Sequence, residues 1–234
     1  TSLIEKEGFS PEKILGVGIS LPGILDLDSR TLVYSHALGL RNVPTEEFSR
    51  FISYPCRFIN DANAAGLAEV RDLESSHNLV YLSLSNSVGG AILTDGSLYD
   101  GDNLRAGEFG HNTLVPDGRP CYCGKKGCLD AYCSAKVLSS LTDGNLALFF
   151  DGLRSSNAVL QAAWKEYLSY LAVAVNNLRM TFDCDVIIGG YVGGFLAEFG
   201  EPLRDMLVER NTFEPDSSYL KFSRFKLEAS ALGA

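Results

Sequence analysis

One histidine and three cysteines lie close together in the segment GHNTLVPDGRPCYCGKKGC, which spans residues 110–128. One imidazole and three thiolates form the nitrogen and sulfur set that zinc favours in a tetrahedral structural site. Unrelated free cysteines on a loop are the alternative, but a segment with so little hydrophobic periodicity lacks another stabiliser. Four protein ligands leave no open position, so the sequence predicts a structural Zn²⁺. The predicted ligands are His111, Cys121, Cys123 and Cys128.

A second polar pair follows an apolar run. The run CRFI (56–59) predicts a strand, and the stretch ANAAGLAEVRDL (62–73) predicts a helix. Asn60 and Asp61 stand between them. A strand that leads directly into a helix start fixes polar side chains at the edge of a sheet, where clefts form. Asp is also a common helix cap, and capping is compatible with a role in binding.

The elements that must position these residues alternate between strands and helices, which indicates an α/β protein. Residues 101–134 show little periodicity and predict a loop module. A glycine-rich turn is predicted at YVGG (191–194), and Cys56, Cys133 and Cys184 are predicted to be core residues. Strands are predicted at 14–19, 79–85 and 185–190, a hairpin at Asp95–Gly96, and helices at 44–53, 157–182 and 195–209.

Composition limits the function. The 234 residues carry a net charge of −9, which argues against a nucleic-acid surface because phosphate binding needs clustered Lys and Arg. No apolar run is long enough to span a membrane, and the first residues do not form a signal peptide. Six cysteines without a secretory context favour metal binding over disulfides. They also favour a cytoplasmic location. Thr1 is not an initiator methionine, which suggests a truncated or processed chain.

Several motifs together resemble the ROK family of repressors, open reading frames and sugar kinases. They are GEFGH (107–111), CYCGKKGCLD (121–130), GVGISLPGILD (16–26), NDANAAGLAE (60–69), IIGG (187–190) and the terminal ALGA. The resemblance implies an actin-like, ribonuclease-H-like two-domain sugar kinase fold of the α/β class, truncated at its N-terminus. It places a partial N-terminal α/β domain at 1–76 and a C-terminal α/β domain at 77–234, with a zinc loop at 107–134.

The resemblance also implies a sugar site. Asn60 and Asp61 match the family's Asn-Asp pair, whose Asp is the general base in the kinases. Glu108 matches a carboxylate that binds sugar hydroxyls, and His111 a zinc ligand near the sugar. Asp130 stands where the family usually has Glu, so its reach is one methylene shorter.

The nucleotide elements are less complete. The family kinases carry an Asp-x-Gly-Gly-Thr loop, which is absent here, and a Gly-Thr-Gly-x-Gly loop, which is replaced by SNSVGG (85–90). Side chains at 85–87 would obstruct the approach of phosphates. The nucleotide positions that the resemblance keeps are Gly89, Gly90, Gly189 and Gly190.

This pattern predicts the sugar-sensing region of a transcriptional regulator. Its ligand would be a sugar or sugar phosphate, and DNA would be bound only through a segment absent from this chain. The alternative is an ATP- and Mg²⁺-dependent hexose or N-acetylhexosamine kinase. A zinc-stabilised interaction module without a ligand is a third hypothesis, but it would leave the joint occurrence of Asn60, Asp61 and Glu108 unexplained. The family resemblance also implies a homo-oligomer.

Overall fold

The structure is a computed structural model that describes residues 6–8, 10–71, 78–225 and 228–234. The predicted domain boundary at residues 76 and 77 lies outside the described residues. Short 3₁₀ turns occupy Pro11–Lys13, Phe109–His111 and Ser140–Thr142. In chain order the strands are β1 (Val17–Leu21), β2 (Ile24–Asp26), β3 (Thr31–Ser35), β4 (Leu40–Pro44), β5 (Cys56–Asn60), β6 (Leu79–Leu84), β7 (Val88–Thr94), β8 (Ser97–Leu98), β9 (Asp185–Gly189) and β10 (Leu220–Phe222). The helices are α1 (Glu46–Ser49), α2 (Asp61–Val70), α3 (Asp130–Cys133), α4 (Ala135–Ser139), α5 (Leu146–Arg154), α6 (Ala158–Phe182), α7 (Gly190–Phe199), α8 (Glu201–Val208) and α9 (Ala229–Gly233).

The central sheet has the strand order β10-β9-β6-β7-β8, with β9 parallel to β6 and β7 antiparallel to it. Strand β6 is buried on both faces, as its continuous apolar sequence LVYLSL predicts. Val80, Leu82 and Leu84 join the main core, which includes α6. Leu79 and Tyr81 face the opposite core. The sheet therefore lies between two helical layers, and α2 packs on the side opposite α6.

The N-terminal part carries two smaller sheets. Strands β1 and β5 pair in parallel, and their last pair brings Leu21 beside Asn60. Strands β2, β3 and β4 form an antiparallel sheet. The end of β5 leads directly into α2, which confirms the predicted strand and helix around the Asn-Asp pair.

The hairpin between β7 and β8 also follows the prediction. Asp95 and Gly96 have φ values of 51° and 73°. Two positive φ values are those of the type I′ turn that suits a two-residue hairpin.

Several predictions are wrong in their details. The stretch 191–194 is not a turn but belongs to α7. Its glycines suggest a turn, but Gly193 is small because the helix packs closely on the Ile188 carbonyl, 3.1 Å from where a Cβ would lie. The helix predicted at 195–209 is two helices separated at Gly200, where a Cβ would lie 2.4 Å from the Leu196 carbonyl oxygen. The helix predicted at 44–53 is reduced to the four residues of α1.

The cysteines outside the predicted metal site behave differently from one another. Cys133 and Cys184 are buried, as predicted. Cys56 is only half-buried, because both strands of its small sheet remain partly accessible. Its thiol donates to the Tyr54 carbonyl. All six cysteines lie in the described part of the chain and are free thiols.

Candidate sugar and metal site

The four predicted metal ligands converge in the loop between β8 and α3. Their candidate ligand atoms all lie within 4.8 Å of one another. The sulfurs of Cys123 and Cys128 are 3.7 Å apart, and Nδ1 of His111 is 4.0 Å from the Cys121 sulfur. Zinc–sulfur bonds of about 2.3 Å in a tetrahedron put neighbouring sulfurs about 3.8 Å apart. The donor set and its spacing therefore fit a zinc ion, with Nδ1 as the histidine ligand.

The loop backbone brings these ligands together through tight turns. The amide of Gly124 donates to the Cys121 carbonyl at 3.0 Å, and the Cys121 amide donates to Lys125 at 2.8 Å. Gly127 has a φ of 79°, and a Cβ there would lie only 1.8 Å from the Val115 carbonyl oxygen. Gly127 is therefore required for the backbone to pass this close to Val115.

The thiols are poorly suited to ionise together without a cation. Burial raises the pKa of Cys121 and of Cys128. At Cys123 burial acts in the same direction, but hydrogen bonds from the Lys125 amide and the other two thiols outweigh it and lower the pKa. A divalent cation would favour the thiolate form of all three.

Asn60 fixes the start of α2. Its Oδ1 accepts from the amides of Ala62 and Asn63 at 2.9 and 3.0 Å, and its Nδ2 donates to the Gly23 carbonyl at 3.0 Å. The side chain thus caps the helix and also ties it to the turn between β1 and β2. The next carboxylate, Asp61, accepts from the Ala62 amide, and burial raises its pKa.

A cavity of about 770 Å³ lies between the N-terminal sheets and residues 107–128, which carry the candidate metal ligands and are called the metal loop below. Asn60, Asp61, Glu108 and His111 all line it, although they come from distant parts of the chain. Glu108 Oε2 is 4.0 Å from Nε2 of His111. Burial raises the pKa of Glu108, the His111 ring opposes this, and the Asp61 carboxylate adds to it. Four of the five predicted sugar-binding residues therefore share one cavity.

Asp130 is the predicted residue that does not line this cavity. Its side chain is 5% exposed, and Oδ2 accepts from the Val88 amide at 2.6 Å. Burial raises the pKa of its carboxyl, and the hydrogen bond from Val88 acts in the opposite direction. The structure thus uses Asp130 to hold the first residue of β7 against α3.

Gly89 and Gly90, two of the predicted nucleotide positions, line the cavity. A Cβ on Gly90 would lie 2.3 Å from the Phe109 ring and 2.9 Å from the Gly107 carbonyl oxygen. A Cβ on Gly89 would meet only Ala62, at 3.1 Å. The absence of a side chain at Gly90 therefore allows residues 107–109 to pack on β7 and hold Glu108 at the cavity.

Gly189 and Gly190 also have packing reasons to be glycine. A Cβ on Gly189 would lie 2.0 Å from the Tyr81 hydroxyl. Gly190 has a φ of 77°, and a Cβ there would lie 2.7 Å from the Ser85 hydroxyl oxygen. The Ser85 amide in turn donates to the Ser87 carbonyl at 3.2 Å. The segment IIGG (187–190) therefore lies next to the segment SNSVGG (85–90) in space.

An aromatic group that no sequence pattern indicated lines the same cavity. Tyr34 and His36 come from β3 and the turn after it, and Tyr122 lies between two of the cysteines. The Tyr34 hydroxyl and Nδ1 of His36 are 2.7 Å apart. Burial lowers the pKa of His36, and the neighbouring charges of His111 and Arg41 add to the effect. Burial raises the pKa of Tyr122, and the nearby acidic groups, led by Asp130 and Cys121, add to the effect.

Among the described residues no helix has the length and apolar character needed to cross a membrane.

Comparison with protein families matches residues 1–234 to the ROK family. An N-acetylmannosamine kinase from Escherichia coli (strain SE11) is 33% identical over 236 residues, covering 93% of this chain and 77% of that protein. A glucokinase from Halalkalibacterium halodurans is 29% identical over 218 residues, covering 83% of this chain and 65% of that protein. A xylose repressor from Caldicellulosiruptor bescii is 27% identical over 252 residues, covering 98% of this chain and 62% of that protein. The chain thus spans less than two thirds of the latter two relatives.

Two solved structures show the fold. A ROK family glucokinase from Streptomyces griseus, in complex with glucose and AMPPNP, matches with a TM-score of 0.81 and 23% identity, covering 99% of this chain and 83% of that one. A ROK family transcriptional regulator, a homologue of the Escherichia coli MLC protein, matches with a TM-score of 0.76 and 21% identity, covering 99% and 64%. The predicted actin-like, ribonuclease-H-like α/β fold is confirmed.

Proposed function

The chain belongs to the ROK family, and from this we propose that its cavity binds a sugar and that it is the sugar-sensing region of a transcriptional regulator. One observation carries the sugar site: Asn60, Asp61, Glu108 and His111 meet at one cavity. Carboxylates accept hydrogen bonds from neighbouring hydroxyls, which a pyranose offers in number. The relatives act on or respond to sugars, as their names state: glucose, N-acetylmannosamine and xylose.

The cavity residues have different proposed roles. Both polar atoms of the Asn60 side chain already bond to the protein, so Asn60 chiefly fixes the start of α2. Asp61 and Glu108 are the acceptors for sugar hydroxyls. His111 has Nδ1 on the side of the Cys121 sulfur and presents Nε2 on the side of Glu108. A ligating histidine commonly has its second nitrogen fixed by a carboxylate, which sets the tautomer.

The charge of the cavity favours an uncharged sugar over a sugar phosphate. Its lining includes Asp26, Asp61, Asp100, Asp102 and Glu108, whereas Arg105 supplies a positive charge. A phosphate dianion would be repelled by this excess of carboxylates. Both kinds of ligand agree with the sequence, and the lining supports the first.

A structural Zn²⁺ is part of the proposal. His111, Cys121, Cys123 and Cys128 would hold it, and bound there it would close the loop on which Glu108 stands. With four protein ligands the ion has no position left for substrate. Its proposed role is therefore to order the loop rather than to activate water.

The preference for a regulator rests on residues 85–87, which are Ser, Asn and Ser. Glycines in a phosphate-binding loop let backbone amides approach the anion, and side chains hinder that approach. The retained Gly90, Gly189 and Gly190 are each explained by contacts within the protein. Their presence therefore lends little weight to nucleotide binding. In the regulator, DNA would be bound by a segment outside this chain, and the sugar would shift the arrangement of domains by binding one state better.

An ATP- and Mg²⁺-dependent sugar kinase is the second candidate, and Asp61 favours it. Burial raises the pKa of this carboxyl, which moves a general base toward neutral pH. Two of the three relatives reported above are kinases by name. In this case Asp61 would take the proton from the attacking sugar hydroxyl.

One experiment separates the candidates. The full-length protein is titrated calorimetrically with D-glucose, N-acetyl-D-mannosamine and D-xylose, and ADP release from ATP and Mg²⁺ is measured with each sugar. The regulator predicts heat from at least one sugar with no sugar-dependent ADP release. Sugar-dependent ADP release that disappears in Asp61→Asn would establish the kinase instead. No heat with any of the three would reject the sugar site and leave the zinc-stabilised module.

The remaining predictions extend this proposal. The division into domains at 1–76 and 77–234 and the assembly of the protein as a homo-oligomer stay predictions. A cytoplasmic location also stays a prediction.

A further inference from the structure

Tyr122 occupies an unusual position in the metal loop. Its two chain neighbours, Cys121 and Cys123, are both candidate metal ligands. The side chain lines the same cavity as Asp61 and Glu108 and is 52% exposed. A large aromatic residue so exposed beside a polar cavity has a surface available for a ligand.

The orientation of the Tyr122 ring is set by two other rings. Its centroid lies 5.1 Å from that of His36, at an interplanar angle of 71°. It lies 5.4 Å from that of His111, at 70°. Both are edge-to-face contacts, a preferred geometry for aromatic pairs. His36 is itself held by the Tyr34 hydroxyl. The Tyr122 ring is therefore positioned before any ligand enters.

Few side chains of the metal loop line the cavity beside Tyr122. Asp130, the acidic residue of α3 nearest the loop in sequence, gives its carboxylate to the Val88 amide and does not line the cavity. Within residues 107–128, the side chains that line the cavity are those of Glu108, His111 and Tyr122, and Gly107 adds backbone. Tyr122 supplies the broad apolar surface among these three.

We propose that Tyr122 is a sugar-recognition residue of this cavity. Its ring packs against the carbon-bound hydrogens of a pyranose, and its hydroxyl exchanges a hydrogen bond with a sugar hydroxyl. A pyranose combines apolar patches with many hydroxyls, and tyrosine combines an apolar ring with a polar end. This inference rests on the proposed sugar site and adds a residue to it.

A consequence is that the metal controls recognition directly. Both neighbours of Tyr122 are candidate ligands, so a bound metal would add a restraint on the backbone at each side of the ring. Glu108 is held from a second direction, by the packing of residues 107–109 on β7. Loss of the metal therefore displaces Tyr122 more than Glu108.

The test compares Tyr122→Phe and Tyr122→Ala with Tyr191→Ala, a matched loss of an exposed tyrosine on α7. Zinc-loaded proteins are titrated with D-glucose, N-acetyl-D-mannosamine and D-xylose, and their zinc content is measured. For the sugar that binds the wild type best, Tyr122→Phe should bind about tenfold more weakly, the effect of one hydrogen bond. Tyr122→Ala should lose about 100-fold, as expected for an aromatic contact residue. Tyr191→Ala should bind like the wild type.

Wild-type affinity in a zinc-loaded Tyr122→Ala protein would overturn the proposal. If that variant loses its zinc, Tyr122→Phe decides, and unchanged affinity in it would overturn the proposal. Failure of the wild type to bind any of the three sugars would instead reject the proposed function, and the wild-type titration alone would reveal it.

Discussion

The double role of Asn60 gives a quantitative prediction. Replacing it with alanine removes two acceptor contacts to the amides of Ala62 and Asn63, and also the donor contact to the Gly23 carbonyl. Loss of a helix N-cap costs about 1 kcal/mol. Loss of the bond to Gly23 costs about 1 kcal/mol more. Asn60→Ala should therefore lower the free energy of unfolding by about 2 kcal/mol.

A matched control separates the two effects. Asn157 caps α6 in the same way, with Oδ1 accepting from Val159 and Leu160 at 3.0 and 3.3 Å. It is exposed and far from the cavity in sequence. Asn157→Ala should cost only the cap, about 1 kcal/mol. The difference between the two variants measures the tie between α2 and the turn at Gly23.

The assay is urea unfolding followed by circular dichroism, with sugar titration of the same zinc-loaded proteins. Asn60→Ala should also bind sugar about tenfold more weakly, because Asp61 loses its fixed frame, a loss equal to about one hydrogen bond. Asn157→Ala should bind sugar normally. An Asn60→Ala protein that is no less stable than Asn157→Ala would refute the idea that the Gly23 contact holds the site.

Three further predictions follow from the site. Asp61→Asn should be more stable than the wild type at pH 7, because burial disfavours the charged carboxylate of Asp61 and raises its folded-state pKa above 3.8. The stability that this carboxyl contributes is therefore full below pH 3.8 and is lost as the pH rises through the folded-state pKa. Urea unfolding at several pH values measures this, and an advantage that shrinks as the pH rises would contradict it. Cys123→Ser should lower the zinc content, speed amide exchange in residues 107–134 and weaken sugar binding, whereas Cys56→Ser, outside the cluster, should do none of these; normal sugar affinity in a zinc-free Cys123→Ser protein would separate metal from ligand. Gly90→Ala should cost about 1–3 kcal/mol by forcing Phe109 away, and Gly89→Ala less; equal costs in urea unfolding would show that the close packing of Gly90 is not what holds Glu108.

Local patterns in the sequence were enough to predict that the four candidate metal ligands converge and that the Asn-Asp pair joins a strand to a helix. His111, Cys123 and Cys128 lie on one loop, so their spacing alone indicates convergence. Asn60 and Asp61 follow a strand that leads straight into a helix, a pattern that fixes side-chain direction. The spatial meeting of these two groups was available only through the family resemblance.

Features that depend on distant contacts could not be predicted. His36 and Tyr122 meet across the cavity although they belong to different sheets and loops, and nothing near either residue indicates the other. The helix at 190–199 was missed because its glycines suggest a turn, whereas Gly193 serves close packing on Ile188. Asp130 carries a plausible sugar-binding carboxylate in sequence, yet its hydrogen bond to Val88 could be known only from the fold.

A crystal structure with bound sugar tests the central claim most directly. Crystals are grown with zinc and with whichever of D-glucose, N-acetyl-D-mannosamine and D-xylose binds most tightly. We predict sugar hydroxyls within hydrogen-bonding distance of Asp61 and Glu108, and an anomalous zinc peak among His111 and the three cysteines. A sugar bound elsewhere, with these two carboxylates turned away from it, would contradict the account.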